Sequence, residues 1–258
     1  MKKSLIGIAA VAVLIGTPAL AADMALKAPP PAPAPAFSWT GFYIGADVGG
    51  IWNYQNADTN DPVHNASAGQ APDFVNLRAS SVIGGAYAGY NYQINNWLVG
   101  IEGDWSGMHL SANAAGPNLF LNGTPTGSGG ITFSSSENWV ASLRARLGVL
   151  AAPNWLLYVT GGGAWTHITY SGINSFIGGC PNCSILSATA ADKGGWSAGG
   201  GIEWAATPHW LFRAEYLHYG FNGNSYMPTY LLAAAPSPLY NFHTLGMDEG
   251  RVGVAYKF

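Results

Sequence analysis

Apolar residues recur at every second position through much of this chain. From Trp97, the residues Trp97, Val99, Ile101, Gly103 and Trp105 share one face, while Glu102 and Asp104 share the other. From Val140, Leu143, Ala145, Leu147 and Val149 oppose Ser142, Arg144 and Arg146. From Trp210, Phe212, Ala214 and Tyr216 oppose Arg213 and Glu215, and at the end Val252, Val254, Tyr256 and Phe258 oppose Arg251, Gly253, Ala255 and Lys257. A period of two is the mark of a β-strand with two unlike faces. The pattern predicts eight strands, at about 39–54, 81–93, 97–109, 137–150, 155–170, 194–205, 210–221 and 244–258.

The gaps between these strands are unequal. Three are very short, Ile94-Asn95-Asn96, Ala152-Pro153-Asn154 and Thr207-Pro208-His209, and each is followed by a tryptophan. Trp97, Trp155 and Trp210 lie 58 and 55 residues apart, so a hairpin plus a long connection repeats as one unit. Four other gaps, at about 55–80, 110–135, 171–193 and 222–243, are rich in Asn, Ser, Gly, Thr and Pro, the residues of irregular loops. Short turns at one end and long loops at the other are the arrangement of an outer-membrane barrel, and an even strand count leaves both chain ends on the short-turn, periplasmic side.

Composition bears on which faces meet water. Charged residues are 9% of the chain, against about 25% in soluble domains. No stretch after the amino terminus runs about 18 apolar residues unbroken, so a helical span is excluded and a spanning chain must be a barrel. A soluble β-sandwich would also alternate, but its charged face would meet water and its loops would be comparable at both ends. Lys2 and Lys3, the apolar run Leu5–Ile15 and the small residues Ala19-Leu20-Ala21 describe a cleavable signal peptide over residues 1–21. Residues 22–38 contain KAPPPAPAPA, an extended proline-alanine linker, and residues 39–258 form the barrel. Without the two signal lysines, 8 basic residues face 13 acidic ones, which gives no basic surface for nucleic acid.

The segments FSWTGFYIGADVGG (37–50), VIGGAYAGYNYQ (82–93), WVASLRARLGVL (139–150), PNWLLYVTGGGAW (153–165) and EGRVGVAYKF (249–258) resemble the porin-like outer-membrane immunogenic protein family. These are small surface antigens related to opacity-type and OmpA-type eight-stranded barrels. The resemblance implies an all-β, eight-stranded antiparallel transmembrane barrel in the cell outer membrane, with a surface-exposed structural or interaction role. Some members are associated with haem binding, symbiosis or virulence, so a haem-binding surface protein is a further alternative; the family supplies no catalytic residues, and no cofactor is expected for this chain. Val254, Tyr256 and Phe258 resemble the terminal signal read by the outer-membrane assembly machinery. The partners expected are that machinery, membrane lipid and lipopolysaccharide, and surface or host ligands.

The minority face of the strands would fill the lumen with Asp47, Glu102, Asp104, Glu203 and Glu215 against Arg144, Arg146, Arg213 and Arg251. An eight-stranded barrel is just wide enough for its side chains to fill it, so these charges are expected to form a paired plug rather than line a pore. A narrow porin-like channel for ions or small solutes is the alternative. Trp97, Trp155 and Trp210 would form an aromatic girdle at the headgroup level. Six scattered histidines, including His109, could serve haem only by converging. A lipid-modifying hydrolase would need a nucleophile, a base and an acid at the rim, for which His167 with Ser171 and His218 with Glu215 are the nearest sets. Cys180 and Cys183 form CPNC. In an oxidising compartment with no second CxxC, a loop-closing disulfide is the favoured reading over redox work or half of a metal site. Thiol titration of the unreduced chain is expected to find no free thiol, and two free thiols would reject the disulfide.

Overall fold

The computed structural model describes residues 37–60, 74–121, 124–175, 184–226 and 239–258. Cys180 and Cys183 lie outside the described residues, as do the signal and most of the linker. The strands are β1 (Gly41–Asn60), β2 (Phe74–Ile94), β3 (Trp97–Leu121), β4 (Thr124–Ala152), β5 (Trp155–Ser175), β6 (Ser184–Ala205), β7 (Trp210–Phe221), β8 (Asn224–Tyr226), β9 (Leu239–Phe242) and β10 (Leu245–Lys257). All neighbouring pairs are antiparallel, and β10 returns to pair with β1, Tyr43 opposite Lys257 and Tyr54 opposite Gly246, which closes an eight-stranded barrel. The two short strands β8 and β9 pair with each other, and β9 adds to the outer end of β1.

The turns follow from their residues. Between β2 and β3 only Asn95 and Asn96 intervene, and Asn95 takes φ 54°, the left-handed conformation that tight hairpins favour and that asparagine tolerates. Before β7, the Thr207 hydroxyl accepts from the backbone N–H groups of His209 and Trp210, at 3.3 and 3.0 Å.

The strands run further than hydrophobic alternation predicts. Much of 55–60, 74–80, 110–121 and 124–135 is strand, and β8 and β9 fall inside a stretch read as loop. Beyond the bilayer the outward face turns polar while the inward face, at Val75, Leu77, Leu110, Ala112 and Phe133, is apolar, so the apolar and charged faces exchange sides while the ladder of backbone hydrogen bonds continues.

The outward face carries two aromatic levels. Trp97 and Trp105 on β3, Trp155 and Trp165 on β5, and Trp204 and Trp196 on β6 all face outward. The members of each pair lie eight to ten residues apart, about 20–25 Å along a tilted strand. Between them stand exposed apolar residues such as Val99, Ile101, Leu143, Leu147 and Val159. This is the height of the apolar band of an outer-membrane barrel.

The inward face is layered. Near the turns, Trp39, Tyr43, Tyr87, Leu98, Leu156 and Tyr158 form one buried apolar cluster, and near the outer end Leu217, Ile168, Phe133, Tyr170, Tyr219 and Phe242 belong to another. Tyrosine rings lie over glycines of the neighbouring strand. A side chain at Gly45 or Gly89 would run into the rings of Tyr87 and Tyr43 respectively, so the missing Cβ lets each ring lie flat against the wall.

Ile101 is 53% exposed and lies midway between Trp97 and Trp105. Ile101→Arg is therefore expected to lower the unfolding free energy by about 2–4 kcal/mol, measured by urea titration of the chain refolded into vesicles.

Candidate functional site

Between the two apolar clusters the lumen holds a connected set of buried charges drawn from six strands. Each member is presented by the inward position of an alternating strand, so the fold that turns apolar residues to lipid also gathers the charges. Arg144 on β4 donates to Glu102 Oε1 at 2.9 Å and Asp104 Oδ1 at 2.8 Å, both on β3, and reaches Glu215 Oε1 on β7 at 3.4 Å. Arg146 donates to Glu203 Oε2 at 2.6 Å and to the Tyr43 hydroxyl at 2.6 Å, and that hydroxyl donates to Glu102 Oε2 at 2.8 Å. From the opposite wall Arg213 donates to Glu102 Oε2 at 2.7 Å, and its guanidinium lies 3.3 Å over the Tyr87 ring. Arg251 on β10 holds Glu215 Oε2 through Nε at 2.8 Å and Nη2 at 2.6 Å, and approaches Asp47 Oδ2 to 3.3 Å. All nine residues expected in the lumen are buried there.

Two further acids were not anticipated, Glu137 and Glu249. Glu249 shares the parity of Arg251 and lies 3.6 Å from its Nη1, while its other oxygen accepts from Tyr219 at 2.8 Å; the sequence carried that signal. Glu137 was hidden by an irregularity. Between Glu137 and Val140, β4 gains one residue against β5, so both side chains point inward although three positions separate them. A bulge of this kind reverses the parity of everything beyond it. Glu137 accepts from Asn53 Nδ2 at 3.4 Å and forms no ion pair among the described residues. The described lumen therefore holds seven buried carboxyl groups against four guanidinium groups, rather than the near balance expected.

The remaining sequence candidates are dispersed. Trp97, Trp155 and Trp210 face outward at the short-turn end, 57%, 40% and 48% exposed. Val254 and Tyr256 lie on the outer face of β10 and Phe258 just past its end, where the Phe258 N–H bonds Phe42 O at 3.0 Å and the Tyr256 ring meets those of Trp210 and Phe258 edge-on. The two hydrolase sets do not assemble. His218 faces outward and bonds Asp248 at 2.7 Å while Glu215 faces the lumen. His167 bonds Asp192 at 2.7 Å, and Ser171 lies 3.2 Å from Ser134. His243 likewise bonds Asp58, at 2.8 Å.

A closed antiparallel sheet with an apolar outer wall, aromatic levels at two heights and ion pairs inside is a transmembrane β-barrel of the outer membrane. Residues 9–258 match the outer membrane protein beta-barrel domain family, and the chain belongs to it. It is 29% identical to the 31 kDa outer-membrane immunogenic protein of Brucella melitensis biotype 1, over 97% of this chain and 98% of that one. It is 28% identical to the 25 kDa outer-membrane immunogenic protein of Brucella canis, over 99% and 98% of the two chains. Among solved structures it is similar to the outer membrane protein OprG from Pseudomonas aeruginosa, with 12% identity, 85% of this chain and 96% of that one covered, and a TM-score of 0.49. The protein is located in the outer membrane.

Removing one partner from a buried ion network leaves its neighbours with less compensation for their lost hydration. Glu215→Ala leaves Arg251 and Arg144 without their shared carboxylate and is expected to reduce stability by about 3–5 kcal/mol. Urea unfolding in detergent reads the change, and an unaltered midpoint would show that the network contributes nothing.

Proposed function

We propose that this chain is a closed, non-enzymatic barrel that stabilises the envelope and presents its extracellular strands and loops as an antigen-like interaction surface. The observation that carries the reading is the filled lumen. The ion pairs of Glu102 and Glu215 cross it from wall to wall, and apolar clusters stand above and below them. A solute crossing the barrel would have to part charges that are already desolvated and paired, and the loss of one partner of such a pair is strongly unfavourable. Eight strands leave little room to go around them.

The two candidate sets, His167 with Ser171 and His218 with Glu215, do not come together among the described residues, which supports a non-enzymatic role, because catalysis would need nucleophile, base and acid within hydrogen-bond reach of one another. The relatives described as immunogenic support presentation at the cell surface. The apolar wall between the tryptophan levels is suited to membrane lipid, and the terminal series Val254, Tyr256 and Phe258 is suited to recognition by the assembly machinery.

The refolded full chain is expected to give no steady current in planar lipid bilayers at moderate salt. A steady open-state current from the unmodified protein would overturn this reading in favour of a channel.

A further inference from the structure

Above the outer tryptophan level, the outward face of β3, β4 and β5 continues past the apolar band and changes character. Ser111 on β3 stands opposite Ser136 on β4, which stands opposite Thr169 on β5. One step further out, Asn113 stands opposite Ser134, which stands opposite Ser171. Six hydroxyl or amide side chains therefore form a grid of two rows and three columns on one flat sheet face, none of them buried. Neighbouring columns are about 4.8 Å apart, and rows on the same face about 6.6–6.8 Å. Among the described residues they engage only one another, and weakly, Ser111 to Ser136 at 3.4 Å and Ser134 to Ser171 at 3.2 Å, which leaves most of their hydrogen-bonding capacity for a partner.

The chemistry of the grid narrows its partner. It contains no charged side chain, so it offers no counterion for a phosphate headgroup. It contains no aromatic, arginine or large aliphatic side chain, the groups that anchor protein interfaces. What it offers are close-set neutral donors and acceptors, which match a polyhydroxylated ligand. Below it a row holds His109 on β3 and His167 on β5, the latter bonded to Asp192 on β6 at 2.7 Å, and below that row Trp105 and Trp165 are 57% and 47% exposed, flat apolar rings of the kind that can cover the C–H face of a sugar. Charged side chains stand around the grid rather than in it: Asp192 on β6 beside His167, and, on the other side of the barrel, Asp58, Arg78 and Asp248 on β1, β2 and β10.

We propose that this grid docks the saccharide of an outer-leaflet glycolipid, with Trp105 and Trp165 at the junction between acyl chains and sugar. The commitment to the membrane's own glycolipid, rather than a free glycan, rests on continuity. The grid lies on the same strands and the same face as the lipid-contacting band and starts one row above its upper tryptophan level, past His109 and His167, so a lipid seated below holds its sugars against the polar side chains above. The inference does not depend on whether the lumen conducts.

The test uses the full chain refolded into nanodiscs containing lipopolysaccharide with core sugars, lipid A without them, or phosphatidylethanolamine. Glycolipid retention and thermal midpoint are read, and heat-modifiable migration checks folding. Core-bearing lipopolysaccharide should be retained more tightly, and raise the midpoint further, than lipid A. The combined variant Ser134→Ala, Ser136→Ala and Thr169→Val should lose that increment, with retention weakened about tenfold, while keeping the response to lipid A. Asn56→Ala with Asn76→Ala, outward on β1 and β2, should keep both. Should the combined variant fail to fold, Ser111→Ala carries the test with a loss of about fivefold. Equal responses to lipopolysaccharide and lipid A, or an undiminished increment in the folded variant, would overturn the proposal. So would soluble core oligosaccharide reproducing the whole increment, since the partner would then be a free glycan.

Discussion

Glu102 and Glu215 tie the two sides of the barrel to each other. Glu102 on β3 takes bonds from Arg144 and Arg146 beside it, from Tyr43 on β1 and from Arg213 on β7. Glu215 on β7 takes them from Arg251 on β10, Arg144 on β4 and Tyr158 on β5. Neighbouring strands are already joined by backbone hydrogen bonds, so what these carboxylates add is contact across the diameter. The need to give the desolvated guanidinium groups their partners explains why the lumen is filled, why apolar clusters stand on either side of the network, and why tyrosines lean over glycines to bring their hydroxyls and rings to the guanidinium groups.

The outer wall follows from the opposite requirement. A backbone in hydrocarbon must satisfy its own polar groups, and closure of β10 on β1 does so without leaving an edge. Side chains on that wall need only be apolar, which is why small residues such as Ala214 and Gly250 stand beside Val252 and Ile202. Aromatic residues are concentrated where the wall meets the headgroups. Beyond that height the same strands become polar on their outer face, as at Ser111, Ser134 and Ser136.

The membrane-spanning part of this design was legible in the sequence because lipid on one side and a packed lumen on the other impose strict alternation. Strand existence, the short turns and the nine lumen charges all came from that one rule. It ceased to help where its cause ceased. Past Trp105 and Trp165 the outward face turns polar and the small or apolar residues turn inward, so the lipid-facing signature ended and the extension of β3, β4 and β5 read as loop. At Glu137 the rule still operated, but an extra residue in β4 changed the parity, and nothing in the local composition marks that position. Trp39 was read simply as the start of the first strand. Its ring in fact lies under the barrel, donating from Nε1 to Pro153 O at 3.2 Å, a contact between distant parts of the chain that no local pattern encodes.

The position of Arg251 in the last strand bears on how the protein is assembled. Asp47 lies in the first strand and Glu215 in the next to last of the barrel, and both meet the Arg251 guanidinium. A chain whose final strand has not docked holds those carboxylates without that partner, beside an unpaired sheet edge. Any such intermediate is penalised twice in an apolar surrounding, and both penalties vanish together when the strand closes. The charge network thereby adds to the sheet's own closure, favouring the barrel with its last strand docked over one with that strand free.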